Sequence, residues 1–261
     1  MLNSALVSTS VRRDRIVVVA CIALVTILAW AYLVYLAHQM SADTQDNATM
    51  AAMGMEVDTP RKWTDFFFTF AMWAVMMVGM MAPSASPMLL MFAGAQARRR
   101  GGNRLLMTLT FGLGYLAVWT GFSVGAAVGQ LYLHQAALLS SAMAISNSKL
   151  TGAIFLLAGA YQLTPWKGKC LTHCRSPLGF LMTNWQDGTV GAFTMGARHG
   201  AYCLGCCWAL MCVLFAVGVM SIVWVAALTV FVLIEKIGPA GAVVARIAGA
   251  ALVVLGIAKI F

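Results

Sequence analysis

The chain has 261 residues, of which 61% are hydrophobic and only 10% charged, and its formal net charge is +9. A water-soluble domain is nearer half apolar and a quarter charged, so these few charges exclude an ordinary soluble globule. The basic residues sit in short clusters between apolar runs, the arrangement of the positive-inside rule, and no nucleic-acid motif accompanies them. Backbone groups in hydrocarbon must be satisfied within their own segment, and long continuous apolar runs select helices over barrel strands. The expected fold is therefore all-α: one integral membrane domain over residues 1–261, a polytopic transmembrane helical bundle.

Residues 1–15 are polar and carry Arg12, Arg13 and Arg15 just before an apolar run from about Ile16 to Ala37, which is long enough to span. A cleaved signal peptide has a shorter apolar core and a small-x-small site, whereas Tyr32, Tyr35 and His38 follow here, so this reads as an uncleaved first helix. Residues 38–64 form a polar, Met-rich outer loop with His38, Met40, Met50, Met53 and Met55 among Asp43, Asp46, Glu56 and Asp58. The second span covers about Phe66 to Ala93 and contains Pro83 and Pro87, which imply a kink or break. The basic run Arg98-Arg99-Arg100, with Arg104, marks the cytoplasmic side. Span three covers about Leu105 to Leu131, and its Gly121, Gly125 and Gly129 suit close helix packing. Span four covers about Leu150 to Leu163 and ends at Pro165.

Residues 166–198 read as a cytoplasmic stretch with Lys167, Lys169, Arg175 and Arg198. Spans five, six and seven follow at about Ala201–Val219, Ile222–Ile234 and Ala240–Ile260, with Gly238-Pro239 between the last two. The count is seven spans, or six with one segment re-entrant, with the N-terminus cytoplasmic in a bacterial inner membrane. The charge distribution agrees: the inner segments hold the basic residues named above and Lys236, the outer ones only Arg61, Lys62, Lys149 and Lys259.

The seven cysteines fall mainly in two clusters and do not read as a disulfide framework. His199, Cys203, Cys206 and Cys207 lie at i, i+4, i+7 and i+8, one face of a helix, and would converge at the cytoplasmic end of span five. Gly200 and Gly205 leave room there for another helix. Cys170, His173 and Cys174 repeat the i, i+3, i+4 offsets and could join the same site or form a separate one. In span two, Met72, Met76 and Met80 run down one stripe with Met77 and Met81 beside it. Thiolates and thioethers are soft ligands suited to Cu(I), and thiolates also to zinc. A neutral thioether binds metal without burying an ionised ligand. Asp65 and Asp187 read as boundary residues, Glu235-Lys236 as the interfacial end of span six, and Arg246 as an intramembrane charge that could pair with Glu235. No catalytic triad, phosphate loop or dinucleotide fingerprint is present.

The segments Met72-Trp-x-x-Met76-Met77-x-x-Met80-Met81-x-Pro83-Ser84, Cys170-Leu-x-x-Cys174-Arg-Ser-Pro-Leu178 and His199-Gly-x-Tyr-Cys203-Leu-Gly-Cys206-Cys207-Trp-x-Leu-Met211 together resemble the bacterial family of predicted metal-binding integral membrane proteins, catalogued as domain of unknown function 2182. The resemblance covers the chain from about residue 60 onward. It implies a metal-binding helical bundle, with Cys170, Cys174, His199, Cys203, Cys206 and Cys207 as site residues and Met76, Met77, Met80 and Met81 beside them.

The residues favour a metal-handling protein over an enzyme. Its cargo would be copper, with zinc as the alternative, translocated or delivered along ligands that change from Met and His outside to Cys inside. The bilayer, the metal and a membrane cuproenzyme or copper chaperone are the expected partners. Two other classes remain open from sequence: a membrane metallo-oxidoreductase subunit, and a transmembrane thiol–disulfide electron carrier.

Overall fold

A computed structural model describes residues 2–52, 62–97, 103–136, 138–139 and 143–261. Met53, Met55 and the run Arg98-Arg99-Arg100 lie outside the described residues, and of Met50 only the backbone is described. The architecture is all-α, with nine helices among the described residues: α1 (Leu2–Ala52), α2 (Lys62–Ala97), α3 (Arg104–Gln135), α4 (Ser148–Gln162), α5 (Pro165–Arg175), α6 (Pro177–Asn184), α7 (Gly188–Val217), α8 (Ile222–Ile237) and α9 (Gly241–Ile260). Five contain stretches long and apolar enough to cross a membrane: Arg15–Met40, Thr64–Gln96, Arg104–Gln135, Gly188–Val217 and Gly241–Ile260. Helices α4 and α8 coincide with the fourth and sixth expected spans but have only 15 and 16 residues.

Two expectations are corrected. Residues 38–52 continue α1 rather than opening a loop. Neither Gly nor Pro occurs before Gly54, so nothing in that stretch breaks the helix. The stretch 166–198 is largely helical. It holds α5, α6 and the first turns of α7, which begins at Gly188 after the N-cap position Asp187. Its basic charges fall on α5 (Lys167, Lys169, Arg175) and α7 (Arg198), while α6 carries none. Finally, α2 runs unbroken through Pro83 and Pro87.

That continuity has a local cause. Each proline lacks the N–H that would bond the carbonyl four residues earlier, freeing the oxygens of Gly79 and Pro83. Both find donors. Trp30 Nε1 on α1 donates to Gly79 O at 3.3 Å, and Ser86 Oγ donates to Pro83 O at 2.8 Å. A neighbouring helix and a serine supply what the prolines remove, as membrane helices require.

The packing glycines are not the expected ones. A methyl added at Gly121, Gly125 or Gly129 would meet nothing within 4 Å. One at Gly114 would collide with the Phe193 carbonyl, one at Gly196 with the Phe111 carbonyl, and one at Gly200 would crowd Tyr115 O and Val118. Thus α3 and α7 lie side by side, parallel and backbone to backbone. A second close pair joins α4 to α9 antiparallel, through Gly152 against Gly256 and Gly159 against Gly249.

These contacts fix the chain directions. Helices α1, α3, α7 and α9 run one way, and α2, α4 and α8 run the other. Arg12, Arg13, Arg15 and Arg104 therefore lie toward one end. The opposite end carries Lys149 and Lys259, where Ser148 Oγ donates to Lys259 O at 2.6 Å. The main core lies between α2, α3, α7 and α8 and contains Met72, Trp73, Met76, Met77, Met80, Met81, Tyr115, Cys203, Cys206 and Cys207.

Candidate metal site

Helix α7 supplies three thiols to this core. Cys203, Cys206 and Cys207 are each 1% exposed. Sixteen residues into α7, Cys203 stands about 22 Å along the axis at the usual helical rise. The group therefore sits at mid-helix, not at the cytoplasmic end expected from the later start of span five. Cys206 Sγ lies 3.3 Å from Cys207 Sγ and donates to Cys203 O at 3.1 Å.

Helix α5 brings the second cysteine cluster to the first. Thr164 caps its N-terminus by accepting from Lys167 N, and Pro165 occupies its first turn. Cys174 Sγ reaches Cys206 Sγ at 3.9 Å. A methyl at Gly205 would meet Cys170 Sγ at 3.0 Å, so this glycine admits α5 to α7, and Gly200 admits α3. Burial pushes the Cys170 thiol above its ordinary pKa. Two polar contacts latch α5 to α8: the buried ion pair Lys167–Glu235, and Arg175 Nη2 donating to Gly238 O at 2.7 Å. Lys167 also donates to Gln162 of α4. Glu235 is thus paired with Lys167 and not with Arg246, which is exposed on α9.

The methionine stripe faces the same core. Met72, Met76, Met77, Met80 and Met81 are all buried there. Met81 is linked to Cys203 through Lys236, a residue that the sequence placed at the interface. Lys236, only 7% exposed, donates to Cys203 Sγ at 2.8 Å and Ser84 Oγ at 3.1 Å, with Met81 Sδ at 3.8 Å. Tyr115 Oη completes the group, 3.0 Å from Cys203 Sγ and 3.4 Å from Met81 O. Sequence reasoning missed Lys236, Tyr115 and Ser84. The available signal was the ionisable residue inside an apolar helix, a functional-site hypothesis in its own right.

The two histidines stand apart from the sulfurs in different ways. His199 is buried one turn before Cys203, its ring 5.8 Å from Tyr115 and 5.5 Å from Phe180, and its Nδ1 has no hydrogen-bond partner. His173 is exposed, stacked on Tyr202 at 4.5 Å, with Nδ1 2.9 Å from Lys169 O. Cys170, His173 and Cys174 all meet α7, but the His173 ring does not enter the thiol group.

Among the described residues, no three His, Cys, Asp or Glu side chains form a ready metal cage. The donor chemistry instead fits a soft ion that needs few ligands. Sulfurs of Cys203, Cys206, Cys207 and Cys174 lie within one cluster beside the Met81 thioether, and thiolate with thioether selects Cu(I).

A buried sulfur cluster is thus set among helices long and apolar enough to cross a membrane. Over residues 70–259 the chain matches the family described as a copper chaperone, PpoB2, and it belongs to that family. Membership makes copper its expected ligand. No curated protein and no solved structure matches the chain.

Proposed function

We propose that this chain is a multi-pass protein of the bacterial inner membrane, with its N-terminus cytoplasmic, that takes Cu(I) as cargo on buried sulfurs and hands it to a membrane cuproenzyme or a copper chaperone. One observation carries the reading: Met81, Cys203, Cys206, Cys207 and Cys174, from three separate helices, meet in one buried group. Counting α4 and α8 as short spans gives seven crossings, and the alternating helix directions support that count. The basic end of the bundle is then cytoplasmic. Cargo would pass from the thioethers of α2 to the thiols of α7, and α5 would receive it at Cys174. The sequence carries no phosphate-binding loop, so movement would run downhill or with an ion gradient.

The first experiment is metal analysis of the detergent-purified chain after Cu(I) loading, beside the Cys203→Ser/Cys206→Ser variant. The wild type should retain about one copper per chain, and the variant should lose it while keeping its gel-filtration profile. Equal copper in both would sink the site assignment. Zinc retained in place of copper would make it a thiolate zinc site. The 3.9 Å approach of Cys174 to Cys206 also supports a second reading, a thiol–disulfide carrier. That reading requires two thiols to be lost on mild oxidation and recovered on reduction, with no metal bound.

A further inference from the structure

Lys236 has no counter-ion of the usual kind. Its sequence neighbour Glu235 is taken by Lys167. Among the described residues, no carboxylate is paired with Lys236. Its ammonium is instead surrounded by Cys203 Sγ, Ser84 Oγ and Met81 Sδ. A buried ammonium is costly unless paired, and of these three acceptors only Cys203 can carry a negative charge. The thiolate that would ligate a metal is therefore the same atom that holds the lysine.

We infer that Lys236 is a tethered competitor for the cargo: its ammonium holds the place between Cys203 and Met81, and a soft monovalent cation enters by displacing it from Cys203. The inference rests on the copper reading proposed above and deepens it to a selection rule. Cu(I) adds one positive charge beside the displaced ammonium, which a second thiol of the group offsets by releasing its proton as it ligates. The flexible four-carbon stem lets Nζ swing off Cys203 while it keeps its bond to the Ser84 hydroxyl, a poor partner for a soft metal. A divalent ion would bring a surplus charge into a region of low dielectric, where it is poorly screened. Lys236 thus excludes zinc from a set of thiols that would otherwise suit it. It also weakens Cu(I) binding enough to permit release, because the returning ammonium competes for Cys203.

The test uses the full chain in detergent, as wild type, Lys236→Gln and Cys203→Ser. Cu(I) affinity is measured by competition with bicinchoninate, and Zn(II) affinity with a chromophoric chelator. Lys236→Gln should bind Cu(I) about tenfold and Zn(II) about a hundredfold more tightly than wild type, since the Coulomb term scales with the ion's charge. Unchanged affinities in Lys236→Gln, with Cu(I) binding still dependent on Cys203, would overturn the role of Lys236 and leave the copper site standing. A wild type that binds no Cu(I) would overturn both. Should Lys236→Gln fail to fold, wild-type protein decides the matter by amine-reactive labelling read by peptide mass spectrometry. Labelling at Lys236 should be slow without metal and severalfold faster with Cu(I), and an unchanged rate would overturn the exchange.

Discussion

At the scale of single residues, the molecule is governed by where orphaned polar groups find partners. The prolines of α2 are tolerated because Trp30 and Ser86 bond the two carbonyls that they free. Trp30→Phe or Ser86→Ala should each cost about 1–3 kcal/mol, the penalty for leaving a buried acceptor unmet. Unfolding of each variant in mixed micelles measures it, and a loss below the experimental error for both would refute the account. The clustered sulfurs were legible in the sequence because their side-chain chemistry is specific and their spacing repeats a helix face. Lys236 and Tyr115 were not, because a lysine becomes part of a site only through its surroundings. Those surroundings come from Met81, 155 residues away, and Cys203, 33 residues away.

Among helices, the same residue type acts oppositely according to which neighbour it meets. Gly114 and Gly196 hold α3 and α7 together, whereas Gly121, Gly125 and Gly129 face open space. Gly196→Val should therefore destabilise the bundle by about 3 kcal/mol or more, since the obstacle is backbone that cannot move aside. Gly125→Ala should be neutral or stabilising by about 0.5–1 kcal/mol, through helix propensity alone. Thermal unfolding of the two variants in detergent checks the pair, and the reverse ranking would reassign the contact face. Spacing showed that glycines could pack but not which face would find a partner. Helix existence was likewise legible from apolar length, whereas the start of α7 was hidden by the charges and glycines of residues 166–198. There the helix is carried by contacts with α3 that no local pattern records.

At the scale of the whole molecule, the arm α5 is held by polar latches on a membrane-type core. The Lys167–Glu235 pair is 1% exposed on both sides. Glu235→Gln should cost about 3–5 kcal/mol by stranding the lysine, whereas Lys167→Met with Glu235→Met should recover most of the loss. A double-mutant cycle on unfolding reads this directly, and additive losses would mean that the pair is not coupled. The site also draws on parts of the chain that are made far apart in time. Met81 leaves the ribosome 155 residues ahead of Lys236, about 8–30 s at ordinary elongation rates of 5–20 residues per second. During that interval α2, α3 and α7 can already assemble their sulfurs while the ammonium is still being synthesised. A nascent chain paused before α8 thus has its thiols in place but nothing to hold them against the wrong ion, so the order of synthesis makes selectivity the last property this protein acquires.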